Sequence, residues 1–368
     1  MKYLKHKLPN PLLAGIVSLT MLTSTASAVD PVLTDTQLHA VLGVVTNFIL
    51  DEETKNYKPP KKTGQVNSYN TNGNQVFVKD DGFYQTGVDH NYTRDDGNEI
   101  VTDHVTGLQW QDDLTAGTTQ KPWLENIRYE RCTEENDPFL KIVKCSVTVG
   151  DTAASYCTNL VLGGETDWRL PTRKELVSLS VYGQSSPAMD AIFQNVDISR
   201  YWSSTTVSGY LSNVWVVSTF NGNYGILTKD ENYSVRCVRA GNEVTPPDFT
   251  KTGNIVTDNT TGLQWQDDAV GNEKSWQGAL NHCEVLSLDG FNDWRLPNFK
   301  ELISIVDDST ASPAIESTFQ NTASENYWSS TTYADSHRRA NIVDFYLGEQ
   351  SNRVKSTGRY VRCVRAGQ

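Results

Sequence analysis

The chain has 368 residues, which is enough for two modules of ordinary domain size. Hydrophobic residues make up 38% of the sequence, with 9 Trp, 16 Tyr and 11 Phe, and this supply of core-forming side chains excludes wholesale disorder. The formal net charge of -12 disfavours a general nucleic-acid binder, and the confinement of long apolar runs to the N-terminus excludes an integral membrane protein.

The first residues have the composition of a secretory signal peptide. A lysine-rich start precedes an apolar stretch over residues 12–22, and Ala26-Ser27-Ala28 supplies the small residues that signal peptidase reads. The apolar stretch is too short to span a bilayer. The sequence therefore predicts a signal peptide over residues 1–28, cleavage near Ala28, and a mature protein that is secreted or held at the cell surface.

Residues 29–62 are predicted to form a helix followed by a linker. Apolar residues recur at helical spacing after Thr34 and Asp35, which are both suitable N-caps. This apolar face either packs on the following module or makes the chain oligomeric, and the sequence leaves both open. Residues 63–96 are rich in Gly, Asn and Asp, which indicates loops or short hairpins that decorate the first module.

An internal repeat organises the rest of the chain. The motifs Thr-Gly-Leu-Gln-Trp-Gln-Asp-Asp, Asp-Trp-Arg-Leu-Pro, Tyr-Trp-Ser-Ser-Thr-Thr and Val-Arg-Cys-Val-Arg-Ala-Gly each occur twice, in the same order. We therefore expect a first module over residues 63–241, with an insertion at about 124–151, and a second module over residues 252–368. Residues 242–251 contain two adjacent prolines and are predicted to be a linker.

The six cysteines fit the same plan. Two pairs, one in each module, are separated by equal numbers of residues, so one bridge per module is the economical pairing. The other two cysteines lie inside the insertion and are predicted to pair locally. Three disulfides suit an oxidising compartment. The predicted bridges are Cys157–Cys237, Cys283–Cys363 and Cys132–Cys145.

Helix and strand signals are repeated in both modules. Residues 153–160 and 277–286 carry apolar residues at helical spacing around the first cysteine of each module. The segments Thr172–Glu175 and Asn298–Glu301 each fit a capping box at the start of a second helix. Valine-rich runs predict strands over residues 214–217, 235–238 and 361–364.

The four ordered motifs resemble the bacterial Lcl C-terminal domain family, and the resemblance covers both modules. It implies an α+β fold of two tandem C-type-lectin-like modules, each with short helices and a small, mainly antiparallel sheet. In that fold the first and last strands pair, and a disulfide joins a helix to the last strand. The family's namesake domain belongs to a collagen-like surface adhesin that binds sulfated glycosaminoglycans and trimerises. This chain differs because it has no Gly-X-Y tract and is acidic.

Three repeated polar motifs are interpreted as structural or as insufficient for a site. The Ser-Ser-Thr-Thr runs could offer hydroxyl groups to a glycan, but a strand with satisfied polar groups is favoured. Asp112-Asp113 and Asp267-Asp268 supply too few oxygens for calcium, which takes six to eight ligands, so no metal or cofactor is predicted and calcium stays a minor alternative. The Asp-Trp-Arg residues are interpreted as ion pairs packed under a tryptophan: Asp167, Trp168 and Arg169, with the copies Asp293, Trp294 and Arg295.

Binding is predicted in the loops where the two copies diverge, because a scaffold and its site usually separate in this way. These loops are residues 207–234 and 333–360. Aromatic and Asn side chains in the first loop suit a sugar ring, and Arg side chains in the second suit sulfate or carboxylate. The candidate residues are Tyr210, Trp215, Asn221, Asn223 and Tyr224 in the first module, and His337, Arg338, Arg339, Arg353, Lys355 and Arg359 in the second.

No nucleophile elbow, phosphate-binding loop or dinucleotide motif occurs, so the chain is not predicted to be an enzyme. The sequence predicts a secreted or cell-surface, adhesin-like protein that recognises glycans, including sulfated ones. The alternative is a structural or protein-interaction module without glycan specificity, and an extracellular enzyme is a further alternative. The expected partner is an extracellular glycan or a surface protein.

Overall fold

The computed structural model describes residues 57–123, 151–240 and 247–367. Tyr57–Gln368 belong to one compact unit. The predicted signal peptide, the helix after it and the Cys132–Cys145 bridge lie outside the described residues. Within the described ranges, no helix is long and apolar enough to cross a membrane.

The first module is built from two small sheets. In the first sheet, the opening strands pair with the closing strand, so that Val101 lies opposite Trp110 and Trp110 lies opposite Val238. All three side chains are buried, and this row forms the inner face of the sheet. In spatial order, the strands of the first sheet are β1 (Tyr92–Asp95), β2 (Ile100–Asp103), β3 (Leu108–Gln111) and β9 (Val238–Ala240). Those of the second sheet are β4 (Gln120–Pro122), β8 (Asn232–Ser234), β5 (Arg200–Val207), β6 (Tyr210–Ser218) and β7 (Tyr224–Thr228).

The second module repeats this plan. Val256, Trp265 and Val364 form the equivalent buried row across its first sheet. The two tandem copies are therefore mostly β-structure with few helices and several small antiparallel sheets. The strands are β10 (Phe249–Thr252), β11 (Ile255–Asp258), β12 (Leu263–Gln266) and β16 (Val364–Ala366) in one sheet, and β13 (Asn326–Thr332), β14 (Arg339–Asp344) and β15 (Glu349–Val354) in the other.

Five short α-helices accompany the sheets in the described ranges. Both predicted capping boxes are present: the Thr172 and Asn298 side chains accept from the backbone N–H groups of Glu175 and Glu301, and each glutamate reaches back to the N-cap backbone. The helices are α1 (Asp81–Tyr84), α2 (Ala153–Thr158), α3 (Arg173–Leu179), α4 (Trp276–Glu284) and α5 (Phe299–Ser304).

Both intramodule disulfides are confirmed, Cys157–Cys237 and Cys283–Cys363. Each joins a helix to the residues just before the closing strand. That strand begins later than predicted, because only the last residue of each predicted segment enters it. The residues before Val238 leave the sheet: Arg236 turns into the interior to meet Asp112, and the Cys237 N–H donates to the Gln111 side chain at 3.0 Å.

One hydrophobic cluster contains buried residues of both modules and so forms a shared core between them. Their equivalent helices α3 and α5 face each other: Lys174 Nζ donates to the Ser304 carbonyl at 3.4 Å, and Lys300 Nζ donates to the Ser178 carbonyl at 3.3 Å. These positions are counterparts in the repeat, so the two bonds are reciprocal and the modules are related by an approximate twofold axis.

The halves of this junction have different chemistry. The buried ring of Phe299 packs edge-on against Tyr182 of the first module, with centroids 4.9 Å apart. At the counterpart positions, the buried Arg173 forms an ion pair with Asp308 of the second module. A pairing of two identical second modules would set Phe299 against Asp308, so the junction favours the pairing of unlike modules.

Residues 63–86, which we call the arm, precede the first module but lie mainly on the second. The Asp81 carboxylate accepts from Thr331 Oγ1 at 2.7 Å, and Gln65 Oε1 accepts from the Thr332 N–H at 2.6 Å. This differs from the expected decoration of the first module. The reason is that several partners of the arm are buried polar groups of the other copy. The arm also contacts the first module at its beginning, where Thr63 O accepts from Tyr182 N.

Candidate functional site

The Asp and Arg of the Asp-Trp-Arg motif make ion pairs in both modules, each with a partner outside the motif. Arg169 pairs with Glu175 at 2.6 Å, whereas Asp167 accepts from Arg239 Nε at 2.5 Å. The cause lies in the capping box, because Glu175 turns its carboxylate back to the Thr172 N–H and so comes within reach of Arg169. In the second module the equivalent pairs are Arg295–Glu301 and Arg365–Asp293, and both motif tryptophans, Trp168 and Trp294, are buried.

The Ser-Ser-Thr-Thr runs lie in strands β5 and β13. The first serine of each run is buried, and Ser203 Oγ donates to the Trp215 carbonyl at 2.8 Å. Later residues differ between the modules: Ser204 and Thr206 are exposed, whereas Thr331 and Thr332 are buried beneath the arm. The same polar strand is therefore open in one module and covered in the other.

The paired aspartates do not form a cation site. Asp112 is buried against Arg236, with Nη1–Oδ1 at 3.1 Å, and also accepts from the Gln194 N–H at 2.9 Å. Burial alone would raise the pKa of Asp267. Hydrogen bonds from Lys251 and from the backbone, together with the charge of Arg362, instead hold this pKa below its usual range. In the described part of the chain, no three His, Cys, Asp or Glu residues are arranged to hold a metal ion.

The first divergent loop forms the wall of an open groove of about 570 Å³. Of the predicted residues, Asn221, Asn223 and Tyr224 line it. Tyr210 is exposed but does not line this groove, and Trp215 is buried under the guanidinium of Arg173. The predicted aromatic platform is therefore not Trp215, whose strand is buried on both faces.

Phe220 takes the place of that platform. It lies at the turn between β6 and β7, lines the groove, and is 46% exposed. The sequence signal for it was the turn Phe-Asn-Gly-Asn, in which an aromatic residue directly precedes three turn formers. Arg200 and Ile198 line the groove as well, outside the divergent loop.

The amide groups of the groove also contact the second module. Asn221 Nδ2 donates to the Tyr333 hydroxyl at 3.0 Å, and Gln350 Nε2 donates to Asn223 Oδ1 at 2.7 Å. The groove therefore borders the module junction, which fixes the positions of these two side chains. A preorganised amide next to an exposed ring suits hydrogen bonding and stacking with a polar cyclic ligand.

Half of the predicted cationic residues are engaged by the arm. The His337 ring stacks on Tyr69 with centroids 3.7 Å apart, and Arg338 donates to the Asn72 carbonyl at 3.2 Å. Lys355 is buried and donates to the Tyr69 carbonyl at 2.8 Å, and its burial lowers its pKa to about 7. These three side chains hold the arm.

The other three predicted arginines, Arg339, Arg353 and Arg359, have no carboxylate partner within 4.0 Å among the residues that the structure describes. The pKa of Arg353 is lowered, mainly by burial and to a lesser extent by the positive charges of Arg359 and Arg339. Guanidinium groups that lack a paired carboxylate in this way suit an anionic ligand.

Comparison with known proteins agrees with the repeat. The model of the Lcl C-terminal domain family matches residues 99–239 and 254–365. No curated protein matches the chain.

Proposed function

The chain belongs to the Lcl C-terminal domain family, in two tandem copies, and on this basis we propose that it is an extracellular protein that binds glycans. The observation that carries the proposal is the groove of the first module, where the exposed Phe220 ring stands beside Asn221 and Asn223. An apolar ring flanked by amide groups matches a sugar, which offers a C–H face for stacking and hydroxyl groups for hydrogen bonds.

The fold and the bridges support the extracellular part of the proposal. Disulfides persist in oxidising compartments. We further propose that each module is a variant of the C-type-lectin-like fold, because the opening strand β3 pairs with the closing strand β9 and a helix is bridged to the residues before that strand.

The cationic residues of the second module support recognition of sulfated as well as neutral sugars. Arg353 and Arg359 offer planar donor groups that suit sulfate or carboxylate. Binding through these two residues would weaken as salt concentration rises, whereas stacking on Phe220 would respond little to salt.

A glycan array probed with the full mature chain tests the proposal. We expect Phe220→Ala to weaken binding of neutral glycans about tenfold. The matched control is Tyr346→Ala, since Tyr346 occupies the equivalent position of the second module and is 48% exposed. Arg353→Gln should weaken only sulfated glycans. An array with no signal above background, or equal losses from Phe220→Ala and Tyr346→Ala, would contradict the proposal.

A second candidate function is protein recognition. It is favoured by one observation: the second module already binds a polypeptide segment, the arm, through Thr331, Thr332 and Lys355. A pull-down that yields one stable protein partner, together with a blank glycan array, would support this function over the first.

A further inference from the structure

The second module holds the arm with a small set of polar contacts. Thr331 Oγ1 donates to Asp81, the Thr332 N–H donates to Gln65, and Asn298 Nδ2 donates to the Thr86 carbonyl at 3.1 Å. We call Thr331, Thr332 and the residues around them the arm face. The arm face therefore donates to one buried carboxylate of the arm and to other acceptors along it.

The first module has the same face, and in the described ranges no arm lies on it. Thr205 and Thr206 are the repeat counterparts of Thr331 and Thr332. The hydroxyl groups of Thr205 and Thr331 accept equivalent hydrogen bonds. The Arg173 N–H donates to Thr205 Oγ1 at 2.9 Å, and the Phe299 N–H donates to Thr331 Oγ1 at 2.9 Å. Each hydroxyl therefore keeps its own hydrogen for an outside acceptor, which in the second module is Asp81.

Exposure distinguishes the two faces. Thr331 and Thr332 are buried, whereas Thr205 is half-buried and Thr206 is exposed together with the neighbouring Ser204. Among the residues that the structure describes, no side chain donates to or accepts from the Thr206 hydroxyl. The face of the first module is thus accessible where that of the second is covered.

The approximate twofold axis explains why one face is open. The arm precedes the first module and crosses to the second. By the same symmetry, an arm that preceded the second module would cross to the first. Only residues 241–248 separate β9 from β10, and this stretch is much shorter than the arm. The second module therefore has no arm of its own to complete the exchange.

We propose that Thr205 and Thr206 of the first module bind a segment of another polypeptide that carries an aspartate, in the way that the second module binds its arm. The proposal rests on the second candidate function, protein recognition. The partner's carboxylate would accept from the Thr205 hydroxyl, and an aromatic residue after it would lie over Arg169, as the ring of Tyr84 lies 5.9 Å from the Arg295 guanidinium.

Two differences between the faces define the partner further. Glu284 pairs with Lys79 of the arm, but its counterpart in the first module is Thr158. Asn298, which donates to Thr86, is replaced by Thr172. The partner of the first module therefore needs the aspartate and the aromatic residue but no lysine at the position of Lys79.

Fluorescence anisotropy with a labelled synthetic peptide of residues 63–86 tests the proposal on the full chain. We expect saturable binding that Thr206→Glu weakens at least tenfold, because the new carboxylate repels the peptide aspartate at close range. Thr228→Glu is the matched control: it adds the same charge at an exposed position of β7 and should leave binding unchanged. A peptide with Asp81→Asn should also bind at least tenfold more weakly, because the amide oxygen still accepts from the hydroxyl but lacks the charge that strengthens the hydrogen bond.

Other outcomes overturn the proposal. Absence of binding does so, and so does binding that Thr206→Glu leaves intact, because the peptide would then have displaced the arm on the second module. Phe220→Ala should leave peptide binding unchanged. Failure of the glycan proposal and failure of the peptide proposal are therefore separately visible.

Discussion

The ring of Phe299 joins the second module to the first, and its removal measures how strongly the two modules depend on each other. Phe299 is fully buried, with its centroid 4.9 Å from that of Tyr182 and 6.3 Å from that of Tyr224, both in the first module. Truncating a buried phenylalanine to alanine costs about 3–5 kcal/mol in lost transfer free energy and cavity formation. We expect Phe299→Ala to lower the free energy of unfolding by that amount.

Urea unfolding followed by tryptophan fluorescence measures the loss. The control is Phe291→Ala, because Phe291 is half-buried and packs on a core cluster of the second module. We expect a smaller loss from it. Hydrogen exchange then locates each effect: Phe299→Ala should speed exchange in α3 and β7 of the first module, and Phe291→Ala should not. A loss below about 1 kcal/mol, or faster exchange confined to residues 247–367, would refute the shared core.

Three further predictions follow from buried polar groups and from the insertion. Burial raises the pKa of Asp81 from 3.8 to about 7, so between these pH values the folded state keeps a proton that the unfolded state loses. The free energy of unfolding should therefore fall as pH rises from about 4 to about 7. Urea titrations at several pH values measure this dependence, and Asp81→Asn should flatten it. Asp112→Ala leaves Arg236 buried without its carboxylate and should cost about 3–5 kcal/mol by thermal unfolding, and a loss below 1 kcal/mol would contradict the pairing. Non-reducing peptide mapping should find Cys132 joined to Cys145, and a link from either to another cysteine would disprove local pairing.

The features that could be predicted are those encoded locally or repeated. Equal cysteine spacing in two copies gave the two bridges, and the capping boxes at Thr172 and Asn298 are defined within four residues. The partners of Asp167 and Arg169 could not be predicted because they lie outside the motif: Arg239 lies in the closing strand, and Glu175 reaches back from a helix.

The position of the arm could not be predicted, for a physical reason. Its sequence is polar and rich in Gly and Asn, so it has no apolar period that would show which surface it covers. Its placement depends on single contacts with distant residues, such as Asp81 with Thr331. The burial of Lys355 could not be predicted for the same reason, because it donates to the Tyr69 carbonyl of the arm as well as lying over Trp276 of its own module.

Aromatic candidates in the first loop show a related difficulty. Trp215 and Phe220 lie close together in sequence, yet one is 1% and the other 46% exposed. Trp215 is buried because the Arg173 guanidinium lies over its ring and Tyr224 packs edge-on against it, and a single sequence does not reveal that these side chains meet. The exposed ring at the turn is the one that can meet a ligand.

The central claim is that a sugar binds in the groove beside Phe220, and hydrogen exchange of the full chain tests it most directly. The measurement compares the free chain with the chain saturated by the neutral oligosaccharide that gives the strongest array signal. If a sugar binds in the groove, amide hydrogen exchange should slow in residues 198–200 and 216–227. Protection that is absent from these residues, or that is confined to residues 333–360, would contradict it.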